Sequence, residues 1–204
     1  MAIITGLEEN RGRIEVIADG CTIARIRKTH FEKCPLSVGE EVDIDEYIDR
    51  LAAIQFADGY ECALSSLDLC ARSAQEIGNS LHRRGYVQPA IEAIVARLVE
   101  NHLIDDRQYA QRLAEIQSQR STGIYAVNRK LRAKGISEED VEDALAVFDE
   151  DQQRHAALLA AQKLARRYEN LPMREARAKL SQALMRRGFS WDSIESVVES
   201  LFDE

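Results

Sequence analysis

Ser80-Leu-His-Arg-Arg-Gly-Tyr86, Lys130-Leu-Arg-Ala-Lys-Gly-Ile136 and Ala183-Leu-Met-Arg-Arg-Gly-Phe189 are three copies of one pattern, and their shared register decides the fold. The glycines, Gly85, Gly135 and Gly188, recur after 50 and then 53 residues. Four positions before each stands a leucine: Leu81, Leu131 or Leu184. Six positions after each stands Ile91, Val141 or Ile194, and thirteen after each stands Leu98, Phe148 or Leu201. Glycine takes the left-handed conformation of a helix C-cap without a Cβ penalty, so each copy predicts a helix end. A new helix should follow, because Ile91, Ile94, Val95 and Leu98 repeat at i, i+3, i+4 and i+7, as do Ile194, Val197, Val198 and Leu201. Ser137 and Ser190 stand where N-caps fall, and Glu138-Glu139-Asp140 places acids in a first turn.

Each glycine-terminated helix has a longer helix upstream, expected over roughly residues 55–71, 106–119 and 150–168. Asp105 can cap the second of these, and Pro172 suits the first turn of the helix that follows the third. The expectation is a mainly α chain of nine helices in three tandem three-helix repeats, at residues 54–104, 105–149 and 150–204. Such small units hide their apolar stripes only partly alone, so neighbours should stack into an elongated array.

Residues 1–53 read differently, as a small β-containing module. Arg13-Ile-Glu-Val-Ile-Ala and Cys21-Thr-Ile-Ala-Arg-Ile are β-branched runs joined by Asp19-Gly20, a pair suited to a type I′ hairpin. Pro35 and Gly39 then mark a loop before Val42-Asp43-Ile44.

The totals exclude several functions. With 30% charged and 45% apolar residues and only 10 Gly and 3 Pro in 204, the chain suits a helix-rich globular protein. No apolar run is long enough to span a bilayer and no secretory signal is visible, so a cytoplasmic location without membrane attachment is expected. A net charge of −8 argues against indiscriminate coating of nucleic acid. Cys21, Cys34, Cys62 and Cys70 match no zinc spacing, and read as small hydrophobes of a reducing compartment. His30, His82, His102 and His155 fall in different elements, and no catalytic or phosphate-loop motif occurs. Asp105-Asp106 reads as helix capping rather than acid–base catalysis, since adjacent helical residues do not face each other. No metal, cofactor or enzymatic activity is expected.

Binding is the remaining possibility. Arg84, Lys134 and Arg187, directly before the glycines, complement the negative ends of helix dipoles and so have a structural reason to be cationic. Arg83 and Arg186 lie about 160° around the helix from Leu81 and Leu184, pointing away from the apolar stripe. Arg129 and Arg132, with Lys130 between them, are similarly opposed to Ile124, Val127 and Leu131. A basic stripe of Arg83, Arg129, Lys130, Arg132, Arg186 and Arg187 follows. Tyr86, Phe189 and Trp191 could stack on bases, but their place after the capping glycines favours packing against the repeat cores.

Ala63-Leu-Ser-Ser-Leu-Asp-Leu-Cys-Ala-Arg-Ser-Ala-Gln-Glu-Ile77 followed by Leu81-His-Arg-Arg-Gly85 resembles the first repeat of the RecX family. Leu103-Ile-Asp-Asp-Arg-Gln-Tyr-Ala110 is similar to that family's junction into its second repeat. Gly123 with Leu131-Arg-Ala-Lys-Gly-Ile136, and Leu184-Met-Arg-Arg-Gly-Phe-Ser190, resemble the remaining signatures. One departure is Cys70-Ala71 before Arg72-Ser73, where the family more often carries a second basic residue. The resemblance implies a curved helical protein lying in the groove of the RecA–single-stranded-DNA filament. There it would bridge RecA subunits and suppress strand exchange, ATP hydrolysis and coprotease activity. It adds Arg72 to the candidate contacts. A monomer is expected, since such an array can cap itself at both ends. Two readings compete with it: a tri-helical protein that binds DNA directly, for which a salt-sensitive affinity for naked DNA would be diagnostic, and a helical-repeat scaffold with an unrelated partner.

Overall fold

Each of the three glycines ends its helix with the same pair of hydrogen bonds. Gly85 N–H donates to the His82 carbonyl at 2.9 Å and Tyr86 N–H to that of Leu81 at 3.3 Å. Gly135 and Ile136 do the same toward Arg132 and Leu131, and Gly188 and Phe189 toward Met185 and Leu184. The glycine φ angles are +87°, +75° and +82°. These are Schellman caps, in which the residue after the glycine packs back on the leucine that accepts its hydrogen bond. All six apolar partners are buried: Leu81, Tyr86, Leu131, Ile136, Leu184 and Phe189.

The structure, a computed structural model, describes residues 1–120 and 122–202. Strands β1 (Ala2–Asn10), β2 (Arg13–Ala18) and β3 (Cys21–Arg27) lead through a one-turn helix α1 (Lys28–Phe31) to β4 (Glu41–Val42). Nine helices follow among the described residues: α2 (Ile44–Leu69), α3 (Ala74–Arg83), α4 (Gln88–Glu100), α5 (Asp106–Ser118), α6 (Ile124–Ala133), α7 (Glu138–Leu145), α8 (Glu150–Ala165), α9 (Met173–Arg186) and α10 (Trp191–Phe202). They form three successive three-helix sets, in each of which the first and third helices pack along one another. The protein is mainly helical, with a small N-terminal antiparallel sheet. Its chain divides into two compact units, Met1–Asp105 and Asp106–Glu204.

In the first unit the sheet has the order β3-β2-β1-β4 with every pairing antiparallel. Asp19 (φ +48°) and Gly20 (φ +79°) make the expected primed turn. A second turn of the same sense, Arg11 (φ +51°) and Gly12 (φ +74°), joins β1 to β2. Ile4, Val16 and Ile26 share a core with Tyr47 and Leu51 of α2 and with Val87 and Ala90 at the start of α4. Farther along α2, Ala63 joins Ile77 and Leu81 of α3 and Ile94 and Leu98 of α4 in a separate core.

Two local expectations need correction. The helix expected from about residue 55 begins at Ile44, because the Asp43 carboxylate caps it by accepting from the backbone of Asp45 and Glu46 at 3.0 and 3.2 Å. Pro172 lies one position ahead of the first turn of α9, as its N-cap, with extended angles of φ −53° and ψ 138°. Ser137 and Ser190 do cap, each accepting from a backbone N–H three residues on, Asp140 and Ser193.

The second unit holds two cores, one around Ala110, Val127, Leu131 and Val141, the other around Ala157, Leu180, Leu184 and Ile194. Their helices meet end to end. α6 starts at Gly123, which offers no side-chain cap, so its first N–H groups need acceptors from elsewhere. Gly123 N–H donates to the Arg187 carbonyl and Tyr125 N–H to that of Gly188, both at 3.0 Å. Ile124 N–H donates to Gln153 Oε1 at 3.0 Å. The carbonyls that close α9 thus cap the start of α6, so opposite helix-dipole ends abut. A Cβ on Gly123 would lie 2.1 Å from the Gly188 carbonyl.

Candidate partner-binding site

The cations of the glycine motif sit where a helix ends and a loop turns away, so their side chains clear the repeat cores. Arg83, Arg129, Lys130, Arg186 and Arg187 are all exposed, and among the described residues none of them forms an ion pair. Arg132 differs. Its guanidinium is engaged by Glu138 and by Asn128 Oδ1, the latter at 2.9 Å, which ties it along its own repeat. Lys134 also turns inward, its ammonium 5.3 Å from the centre of the Tyr109 ring. Arg72 is half-buried, and its Nε has no hydrogen-bond partner.

The end of α9 abuts the start of α6, and both helices carry exposed cations. Arg186 and Arg187 stand at the C-terminal end of α9, and Arg129 and Lys130 lie on the α6 helix that starts against that end. Tyr125, also on α6, is 61% exposed. Of the three aromatics after the glycines, Tyr86 and Phe189 are packing residues as expected, whereas Trp191 is 56% exposed. Trp191 follows Phe189 by two residues and opens α10, so it leaves the Schellman contact and faces solvent.

In the first unit, the sheet braces the Gly85 turn. Arg13 Nη2 donates to the Arg83 carbonyl at 2.6 Å and Arg27 Nε to the Arg84 carbonyl at 3.3 Å, satisfying acceptors that α3 leaves open. Beneath the turn, Gln55 is fully buried with its whole amide in use. Its Nε2 donates to the Gly85 carbonyl at 3.1 Å and to His30 Nδ1 at 3.3 Å, and its Oε1 accepts from Val87 N–H at 2.7 Å. His30 Nδ1 therefore carries no proton, and Nε2–H donates to Asp58 Oδ2 at 3.1 Å. The same carboxylate accepts from the Tyr86 hydroxyl and pairs with Arg27 at 3.2 Å. Arg27 also lies 5.1 Å over the Tyr86 ring.

This network was not read from the sequence. His30, Gln55, Asp58 and Tyr86 are far apart along the chain, and only Gln55-x-x-Asp58 on one helix face hints at it. Replacing Gln55 by Leu leaves the Val87 N–H and the Gly85 carbonyl buried without partners. A loss of about 3 kcal/mol is expected in the urea unfolding of the full chain. A loss below about 1 kcal/mol would mean that other groups take over those bonds.

Burial holds the His30 pKa below its ordinary value of 6.5, against the attraction of Asp58. The Tyr86 hydroxyl and the neighbouring cations hold Asp58 below the ordinary 3.8. An unfolded chain binds protons more readily at both groups, so stability is full above pH 6.5 and falls as the pH drops through that value, with a further loss below 3.8. The urea midpoint should decline between pH 7.5 and 5.5, and His30→Gln should flatten the decline; an unchanged slope would contradict this.

Among the described residues no helix is long and apolar enough to cross a membrane. Comparison with known proteins gives consistent matches. Family models for the second and third three-helix domains of RecX match residues 105–145 and 150–198. Regulatory protein RecX of Limosilactobacillus reuteri (strain DSM 20016) is 31% identical over 207 aligned residues, covering 100% of this chain and 77% of that protein. Regulatory protein RecX of Lactococcus lactis subsp. cremoris (strain SK11) is 32% identical over 170, covering 81% and 63%. A crystal structure of regulatory protein RecX superposes with a TM-score of 0.66 at 29% identity, covering 97% of this chain and 98% of that one. One of RecX from Lactobacillus salivarius gives 0.64 at 29%, covering 73% and 97%.

Proposed function

The chain belongs to the RecX family, and on that premise we propose that it docks in the groove of the RecA–single-stranded-DNA filament and restrains the recombinase without covalent chemistry of its own. Modulation of RecA is the role of the family. The observation that supports it here is a repeated, rigidly capped helix end that displays cations without carboxylate partners among the described residues, in both compact units. A helical polymer offers equivalent acidic or phosphate-bearing surfaces at regular intervals, and a chain of equivalent repeats can engage several of them at once. Each exposed pair alone contributes little, so recognition by several repeats is what makes the affinity useful.

In this reading Arg83, Arg129, Lys130, Arg186 and Arg187 contact the filament. Arg132 contributes less, because Glu138 already holds it. Arg72 lines a groove in the first repeat that Arg83 also lines. The chain acts from the cytoplasm and as a monomer.

The test is RecA-catalysed ATP hydrolysis on single-stranded DNA, with the full chain added in increasing amounts. Turnover should fall to a low plateau at substoichiometric to equimolar chain. Unaffected turnover in excess chain would remove the proposal.

A further inference from the structure

A groove of about 580 Å³ opens on the first repeat between α2 and the α3 end, lined by side chains of Arg72, Arg83 and Arg84. Its cations are poorly neutralised. Arg27, at one side, is already paired with Asp58. Arg84 Nη1 lies 2.7 Å from the Cys62 sulfur, not from a carboxylate. Among the described residues Arg83 forms no ion pair, and the Arg72 Nε is buried without an acceptor. Glu61 is the remaining acid of the lining, so three unneutralised guanidinium groups face one carboxylate.

The arginine fork matches oxyanions bidentately, so the outer nitrogens of these guanidinium groups suit such a ligand. Ser66 and Ser80 add two hydroxyl donors to the same wall. That set offers more donors than one carboxylate can accept, whereas the non-bridging oxygens of a phosphate could use them. Glu61 and the paired Asp58 make the groove a poor track for a continuous polyanion, which favours a single compact group.

We infer that this groove is a seat for one phosphate group, held by Arg72, Arg83 and Arg84 with Ser66 and Ser80. The seat belongs to the first repeat alone and shares Arg83 with the proposed filament contacts, so its test is made on the chain without RecA.

The arginine Nε–H resonances of the full-length ¹⁵N-labelled chain report on it directly. Titration with sodium pyrophosphate should shift the Arg72 resonance saturably, and sodium chloride of equal ionic strength should not. In Arg83→Gln, an exposed position whose loss spares the core, the half-saturating concentration should rise about fivefold or more. A short single-stranded oligonucleotide that displaces pyrophosphate would assign the phosphate to nucleic acid; one that does not would assign it to a free or nucleotide phosphate. Either result retains the seat. No saturable shift, an equal shift with chloride, or a stronger response to polyglutamate than to pyrophosphate would overturn it.

Discussion

Gly188→Ala is expected to disrupt the second unit far more than Gly20→Ala disrupts the hairpin, although both glycines have nearly the same φ, +82° and +79°. At Gly20 a Cβ meets nothing within 4 Å, so the cost is the left-handed backbone alone, about 1 to 2 kcal/mol. At Gly188 the added carbon would also lie 2.2 Å from the Ala126 backbone nitrogen. Backbone cannot step aside as the end of a flexible side chain can, so α9 must withdraw from α6. The hydrogen bonds from Gly123 and Tyr125 are then lost, and two helix-terminal carbonyls and two N–H groups lose their partners together. A total above about 4 kcal/mol is expected in urea unfolding. Equal costs at the two glycines would show that the contact between the two helix ends is not maintained in solution.

The second large effect concerns binding. Simultaneous reversal of Arg83, Arg129, Lys130 and Arg186 to Glu should abolish inhibition of RecA-driven strand exchange at concentrations where the wild-type chain is fully inhibitory. At on the order of 0.7 kcal/mol for each exposed charge, the four together correspond to about a hundredfold in apparent affinity. Among the described residues none of these side chains packs in a core or forms an ion pair, so the melting temperature should change little. Arg132→Gln alone should matter less than Arg129→Gln, since Glu138 already engages Arg132. Unchanged inhibition by the fourfold variant would remove these residues from the contact surface.

The helical repeats were legible because one physical requirement, closing a helix on glycine with an apolar residue on each side, leaves a fixed spacing in the chain. Leu81, Gly85 and Tyr86 carry it, and the second and third copies keep it. Strand β1 was not legible. Ile3, Ile4 and Leu7 alternate only partly, and the strand's outer half, Glu8 to Asn10, is exposed, so no two-residue periodicity accumulates. The start of α2 was hidden for a related reason. Its first turns cover the sheet core with Tyr47 and Leu51 while its later turns serve the repeat, so its apolar face suits two partners rather than one stripe.

The binding surface was legible by residue type but not by state. Spacing separates Arg83 from Leu81, yet it gives no sign that Glu138 engages Arg132 or that Arg72 is half-buried. The bracing of the Gly85 turn by Arg13 and Arg27 spans 70 and 57 residues, a separation at which local pattern carries no information. Trp191 was placed with Tyr86 and Phe189 by its nearness to a glycine, but only the residue directly after the glycine makes the cap contact.

Binding of the fluorescently labelled full chain to RecA–single-stranded-DNA filaments and to the same DNA without RecA, each across a range of salt, tests the central claim most directly. The account predicts saturable binding to the filament at a fixed ratio of chain to RecA, with weak binding to bare DNA. Equal affinity for bare DNA, falling steeply with salt, would contradict it and identify a direct DNA binder.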